Sequence, residues 1–197
     1  MKATFKRALI STALASAITF PALADSPNWN FVQGSYLKAS IDGLDVEPSG
    51  FGITGSTSMS ENVFLGAAYK KLSGDISYLD VEASQISIGI GYHSPLSDKT
   101  DVYAMLGFEI VEAKASGYRY SVSEDDTGYS FTVGLRSMVS ESFELNGSVG
   151  YNSIDGENET SLAAGAQYYF NENVSIGAQY TTGDDTNMWG FTARYSF

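Results

Sequence analysis

Counting back from Phe197 through the last ten residues, every second position is Tyr195, Ala193, Phe191 and Trp189. The positions between them are Ser196, Arg194, Thr192, Gly190 and Met188, small or polar apart from the last. Successive side chains of a β-strand point to opposite faces, so this segment has one apolar face and one polar face. The same parity runs upstream. Val174, Ile176, Ala178 and Tyr180 alternate with Ser175, Gly177 and Gln179, and Leu162, Ala164, Ala166 and Tyr168 with Ala163, Gly165 and Gln167. Phe143, Leu145, Val149 and Tyr151 oppose Glu144, Asn146, Ser148 and Asn152, while Tyr129, Phe131, Val133 and Leu135 oppose Ser130, Thr132, Gly134 and Arg136. Segments 102–110 and 86–92 behave likewise, and 63–69 and 51–57 carry weaker versions. The first segment, 30–41, is ambiguous in phase and is read with Val32, Gly34 and Tyr36 on the apolar face and Gln33 and Ser35 on the polar one.

These segments predict ten strands, or eight if the weaker ones are loops. Short links fall at 59–62, 94–100, 140–142 and 171–173, and longer ones around 42–49, 73–81, 114–126, 155–159 and 183–187. A soluble sandwich would turn the apolar faces inward, whereas a membrane barrel turns them to lipid and lines its lumen with the polar set. The aromatic residues decide between the two. By strand direction Tyr69, Tyr129, Tyr151, Tyr180 and Trp189 gather at one end, and Tyr92, Phe143, Phe170 and Phe197 at the other. Two aromatic belts about 25 Å apart suit a lipid-facing surface. The fold class expected is therefore all-β: a transmembrane antiparallel up-and-down β-barrel with short turns and both termini in the periplasm. A weak repeat agrees, since Ser60–Tyr69, Lys99–Phe108 and Asn171–Tyr180 each open with a polar turn and continue as an alternating strand.

The amino end predicts export. Lys2, Lys6 and Arg7 precede an uncharged, mostly apolar run from Ala8 to Phe20, and Ala22 and Ala24 are small residues at the two positions read by signal peptidase. That is the three-part pattern of a secretory signal, with cleavage expected after Ala24. The apolar run is far shorter than the roughly 20 residues of a spanning helix. Residues 1–24 are thus read as a cleaved signal peptide and 25–197 as the barrel domain. Losing those three cations takes the formal net charge from −12 to −15. Such an acidic chain lacks the clustered Lys and Arg that nucleic acid requires. Cysteine is absent, which excludes a lipid-anchored lipoprotein and any disulfide framework.

The terminal Tyr195-Ser196-Phe197, with Trp189 and Phe191 on the same face, resembles the carboxy-terminal signal of bacterial outer-membrane proteins. With its Asn-Glu-Asn-Val turn at Asn171–Val174, the mature chain resembles the small porin-like outer-membrane β-barrel families of Gram-negative bacteria. The resemblance implies recognition by the barrel-assembly machinery during biogenesis and residence in the cell outer membrane, among its lipid and lipopolysaccharide. It carries over no active site.

The residues offer little catalytic chemistry. The only histidine, His93, sits beside Ser94-Pro95 at the periplasmic end of its strand. A nucleophile in the outer loops therefore has no His to act as base. Asp184 and Asp185, the remaining carboxylate pair, are neighbours on a loop and read as solvated. A barrel enzyme is the third and least supported reading, so no catalytic residue is assigned and no cofactor is expected. No loop has the Asp-x-Asp-x-Asp-Gly spacing of a calcium site, and no metal is expected either. Of the 23 acidic residues, 14 fall in the longer loops, among them Asp42, Asp45, Glu47, Glu124, Asp125, Asp126 and Glu159. They read as a solvated surface, with a cation-attracting rim as the functional alternative.

The polar faces collect Lys70, Gln85, Tyr103, Glu109, Arg136, Glu144, Asn146, Gln167, Tyr169, Gln179 and Arg194 in the lumen. Lys70, Glu109, Arg136, Glu144 and Arg194 are the candidate charge network. Pairing Val139 with Phe143 across the 140–142 turn would set Arg136 opposite Asn146, with Glu144 a diagonal neighbour about 7–8 Å away by backbone. Ten strands lie near the size that side chains fill, and open aqueous channels need about 16. Inward Gly and Ser (Gly52, Ser87, Gly89, Gly134, Ser175, Gly177) are expected to leave some space. The function expected is a small porin-like barrel with at most a narrow polar passage. The alternative is a structural or surface-interaction barrel with a closed lumen, acting through its acidic outer loops.

Overall fold

A computed structural model describes residues 22–23, 26–43, 46–76, 79–117 and 120–197. Ala24 of the expected cleavage site, and Asp45 and Arg119 of the loops, lie outside the described residues. Ten antiparallel strands close into one barrel. They are β1 (Phe31–Ile41), β2 (Ser49–Ser58), β3 (Val63–Ile76), β4 (Leu79–Ser97), β5 (Thr100–Gly117), β6 (Tyr120–Ser140), β7 (Phe143–Ile154), β8 (Glu157–Tyr169), β9 (Val174–Thr182) and β10 (Thr186–Ser196). Each strand pairs with its neighbours in sequence, and β10 closes on β1 with Phe191 opposite Tyr36 and Arg194 opposite Gln33. Closure leaves no unpaired edge at bilayer depth, where an exposed N–H or C=O would find no water.

The faces are inverted relative to a soluble protein. Ile88, Leu106, Phe131 and Phe191 are exposed, while Gln85, Glu109, Gln167 and Arg194 are buried inside. In β1, Val32, Gly34 and Tyr36 face out and Gln33 faces in. Tyr36 opposite Phe51, Phe108 opposite Tyr129, and Tyr180 against Trp189 (ring centroids 4.4 Å) mark one belt. Tyr168 edge-on to Phe170 (5.4 Å), with exposed Tyr92, Tyr195 and Phe197, marks the other. From Trp189 to Phe197 the strand covers roughly 26 Å at about 3.3 Å per residue, the height of an apolar band. The second belt lies at the end where the Phe197 N–H donates to the Asn30 carbonyl (3.2 Å), called here the terminus end.

At the opposite, far end the strands run on where loops were expected. Ladders continue to Ile76 opposite Leu79, to Gly117 opposite Tyr120 and to Ile154 opposite Glu157, where the turn is Asp155-Gly156. Asp155 and Gly156 both have positive φ (50° and 78°), as a tight two-residue hairpin turn requires. The apolar alternation stops in these stretches although the pairing does not, because alternation records a difference between lipid and lumen. Beyond the apolar band the outer face no longer meets lipid. At the terminus end β4 likewise continues through the expected link at 94–100, with a register shift between Pro95 and Ser97 that leaves Leu96 exposed. A second shift leaves Val139 unpaired, so Phe143 pairs with Ser140 rather than with Val139. Arg136 still lies opposite Asn146.

Strand length divides the barrel. β1, β2, β9 and β10 have 11, 10, 9 and 11 residues, close to the 9–11 that cross a bilayer. β4, β5 and β6 have 19, 18 and 21, and with β3 they raise a wall at the far end. No large apolar side chain described between Val111 and Thr127 is exposed, so this wall stands clear of the apolar band.

Candidate functional site in the lumen

The chain ahead of β1 supplies what the alternation could not reveal. Ser26–Pro27 lies against β5 and β6, and Trp29 is buried in the mouth of the terminus end. Its ring stacks on His93 (4.2 Å), tilts against Phe64 (4.2 Å) and meets the edge of Tyr103 (5.7 Å). Trp29, Phe64 and Tyr103 form a mainly aromatic buried cluster with Phe31 and Met105. The indole N–H donates to Asp101 (3.0 Å), and the same carboxylate oxygen lies 3.1 Å from His93 Nδ1. No sequence signal marked Trp29, because its segment precedes the first strand and has no partner face to alternate against.

Above this stopper sits a charged layer. Arg136 from β6 grips Glu144 from β7 with three hydrogen bonds: Nε to Oε1 (3.0 Å), and Nη2 to Oε1 and Oε2 (2.8 Å each). Both side chains are 0% exposed. The two residues are diagonal across the ladder, and long side chains span the gap. Arg136 also lies over the Trp29 ring (5.1 Å), which ties the layer to the stopper. Tyr169 of β8 donates its hydroxyl proton to Glu144 (2.8 Å) and accepts from Arg194 of β10 (3.3 Å). Arg194 donates twice more to Gln33 Oε1 (2.9 and 2.6 Å) and lies over Phe31 (4.7 Å). Charge-assisted, bidentate bonds of this kind are the strong ones, and here they link β6, β7, β8, β10 and β1 across the lumen.

The five charges picked from the sequence all point inward but do not join in one network. Arg136, Glu144 and Arg194 meet through Tyr169. Glu109 is satisfied on its own wall, accepting from Gln85 (2.6 Å), Ser130 (2.6 Å) and Ser87. Gln85 pairs with Lys70 across the β3–β4 ladder yet gives its amide to Glu109. Lys70 Nζ is left buried without a hydrogen-bond partner. Beside it a cavity of about 10 Å³ opens between Gln33, Ser35, Thr54, Tyr69, Lys70 and Gln179, the room of roughly one water.

Inward glycines do not leave the expected space. A side chain at Gly89 would meet Met105, at Gly91 Phe64, at Gly134 the Tyr103 ring, and at Gly177 the Gln167 amide. Each of these glycines makes room for a bulky neighbour on the next strand, so the space opposite it is filled. Gly52, which lines the small cavity, is the exception.

The remaining picked residues face outward or precede the barrel. Trp189, Phe191, Tyr195 and Phe197 are exposed on the outer face or just beyond it, and Ala22 pairs with Pro27 in a short ladder ahead of β1. Among the described residues no group of three or more His, Asp or Glu is placed to hold a metal ion.

Comparison with known proteins agrees with this architecture. Residues 10–162 match the outer membrane protein beta-barrel domain family. No curated protein sequence matches the chain. Among solved structures, the translocator domain of the autotransporter NalP from Neisseria meningitidis aligns at TM-score 0.50 and 10% identity, over 100% of this chain and 95% of that one. Ail, the attachment invasion locus protein of Yersinia pestis, aligns at TM-score 0.49 and 15% identity over 86% and 97%. The N-terminal β-barrel domain of Pseudomonas aeruginosa OprF aligns at TM-score 0.46 and 13% identity over 86% of this chain and 98% of that one.

Proposed function

Because the chain belongs to the outer membrane protein beta-barrel domain family and so is a protein of the outer membrane, we propose that it is a small, porin-like barrel that stands closed at rest. One observation carries this: Arg136 and Glu144 are 0% exposed directly above the buried Trp29 stopper, so neither the ion pair nor the stopper is open to water. The barrel then acts through its shell and its far-end wall, with no catalytic role. Its surroundings are outer-membrane lipid and lipopolysaccharide, with the far end outside and both termini in the periplasm. Residues 1–24 serve as the export signal, and the exposed Trp189, Phe191, Tyr195 and Phe197 are what the assembly machinery reads during biogenesis.

A narrow passage is the second reading, supported by the small cavity beside Lys70 and by buried polar atoms without partners there. Single-channel recording in planar bilayers separates the two. The closed reading expects a silent parent protein and discrete steps after the double change Trp29→Ala/Arg136→Ala, which removes the stopper and breaks the sealed layer. Discrete steps from the parent would establish a resting passage and overturn the closed barrel.

A further inference from the structure

Three buried polar side chains from three strands gather at the β9–β10 turn, and all three carry oxygens without a hydrogen-bond partner. Glu159 of β8 is 8% exposed, and both its carboxylate oxygens are unpartnered. Asn152 of β7 lies directly opposite it in the ladder and is 1% exposed, with both amide atoms unpartnered. Thr186 opens β10 with its Oγ1 buried and unpartnered, and its carbonyl accepts from the Gly183 N–H (2.8 Å). The turn is shaped around the carboxylate. A side chain at Gly183 would run into Glu159 Oε1, so glycine is what leaves it room.

A carboxylate so placed needs a cation or a proton, because a buried charge without one is costly. Asp184 and Asp185 of the turn repel its charge, while Lys70 and the Asp184 backbone N–H favour it, none in hydrogen-bond contact. Lys70 has Glu109 as well as Glu159 within electrostatic range. That sets one cation against two lumen carboxylates, before the exposed Asp184 and Asp185 add theirs at the mouth. An anion is therefore the wrong occupant. Water alone would satisfy Asn152 and Thr186 but leave the carboxylate charge uncompensated. The oxygens left over belong to a carboxylate, an amide and a hydroxyl, donors that suit a hard cation. Calcium accepts such an irregular set more readily than magnesium, which demands near-octahedral geometry.

We propose that Glu159, Asn152 and Thr186 form a calcium site at the far mouth of the lumen, with Asp184 and Asp185 drawing the ion in and water completing its shell. No group of three acids is placed to hold a metal among the described residues. With one ligating carboxylate the site is weak, with a dissociation constant of about 0.1–1 mM. It goes beyond the closed-barrel reading and does not depend on whether the lumen conducts.

The test uses the full barrel, refolded, stripped with chelator and held in phosphatidylcholine nanodiscs at fixed pH. Calcium chloride is titrated in while backbone amide NMR shifts are followed, and heat-modifiable migration confirms that each variant is folded. Saturable shifts should appear at 152, 159 and 183–186. Glu159→Gln should weaken binding roughly tenfold or more, since it removes the ligating charge. Gly183→Ala keeps every charge but pushes the carboxylate aside, and should weaken binding by about threefold or more. Asp184→Asn/Asp185→Asn should cost about two- to threefold and flatten the salt dependence. Shifts that never saturate, or that spread along the acidic wall, would reveal a diffuse ion atmosphere and overturn the proposal. Unchanged affinity in Glu159→Gln or Gly183→Ala would do the same, and equal affinity for magnesium would overturn the choice of calcium.

Discussion

Near the terminus end the long polar side chains finish on partners: Arg136 on Glu144, Tyr169 between Glu144 and Arg194, Arg194 on Gln33, Gln167 on Thr192 (2.8 Å). Toward the far end, Lys70 Nζ, Gln179 Oε1 and both amide atoms of Asn152 are buried without them, and nearer the terminus end so are the Asn146 amide atoms and Gln167 Oε1. The residue types are the same in both halves. A buried polar atom with no protein partner is costly unless water reaches it, and the cavity beside Lys70 is sized for a water. The terminus half thus has charge-assisted bonds between strands, whereas the far half has the cavity beside Lys70, with room for about one water. The contrast also explains the order of the layers. The stopper and ion pair sit where short turns pin the register, and the looser polar set lies under the taller wall.

The largest expected effect tests the tight half. Arg136→Ala would leave Glu144 buried with only the Tyr169 hydroxyl, and breaking one partner of a buried pair costs about 3–5 kcal/mol. Reversible urea unfolding in liposomes should show a loss of that order. A loss below about 1 kcal/mol would mean that water already reaches the pair, and the two halves would no longer differ in kind. The matching change in the loose half is Lys70→Met. An unpartnered buried ammonium gives up little when removed, so stability should stay within about 1 kcal/mol or rise. A loss as large as that of Arg136→Ala would show that Lys70 is held as firmly as the arginine.

How far the sequence reveals this depends on where alternation carries information. Within the membrane each residue's face follows from parity, so Gln33, Arg136, Glu144, Tyr169 and Arg194 are identifiable as inward from sequence. The Arg136–Glu144 approach is legible as well, because it depends on a single short turn, and the bulge at Val139 does not disturb the pairing of Arg136 with Asn146. The link from Tyr169 to Arg194 and on to Gln33 is harder to read, since it requires the curvature that brings β8, β10 and β1 side chains together. Trp29 precedes all alternation, and the wall of β3–β6 lies above it. Most of the loop length expected at 73–81 and 114–126 is paired strand beyond the lipid-facing band, where no apolar alternation distinguishes that state from a loop.

The smallest expected effect lies on that wall. Asp75 and Asp80 face each other across the β3–β4 hairpin. The hydrogen bond that protonated Asp80 donates to Asp75, the Asp75 charge, partial desolvation and the nearby Glu82 raise the Asp80 carboxyl above the usual carboxylate range. A carboxyl raised in the folded state favours the bound proton there. Its stabilising contribution is fully present below the ordinary carboxylate value, near pH 4, and is lost as pH rises through the raised value. Amide exchange at the hairpin tip, corrected for intrinsic rate, should thus be slower at about pH 4 than at about pH 7. Asp80→Asn should remove the difference by keeping the tip protected at neutral pH. The effect should be modest because both carboxylates are in water, where the same repulsion inside the terminus half would be severe. If the pH dependence persisted unchanged in Asp80→Asn, the tip would be responding to other carboxylates, and the wall would have to be read as one coupled acidic surface rather than as independent pairs.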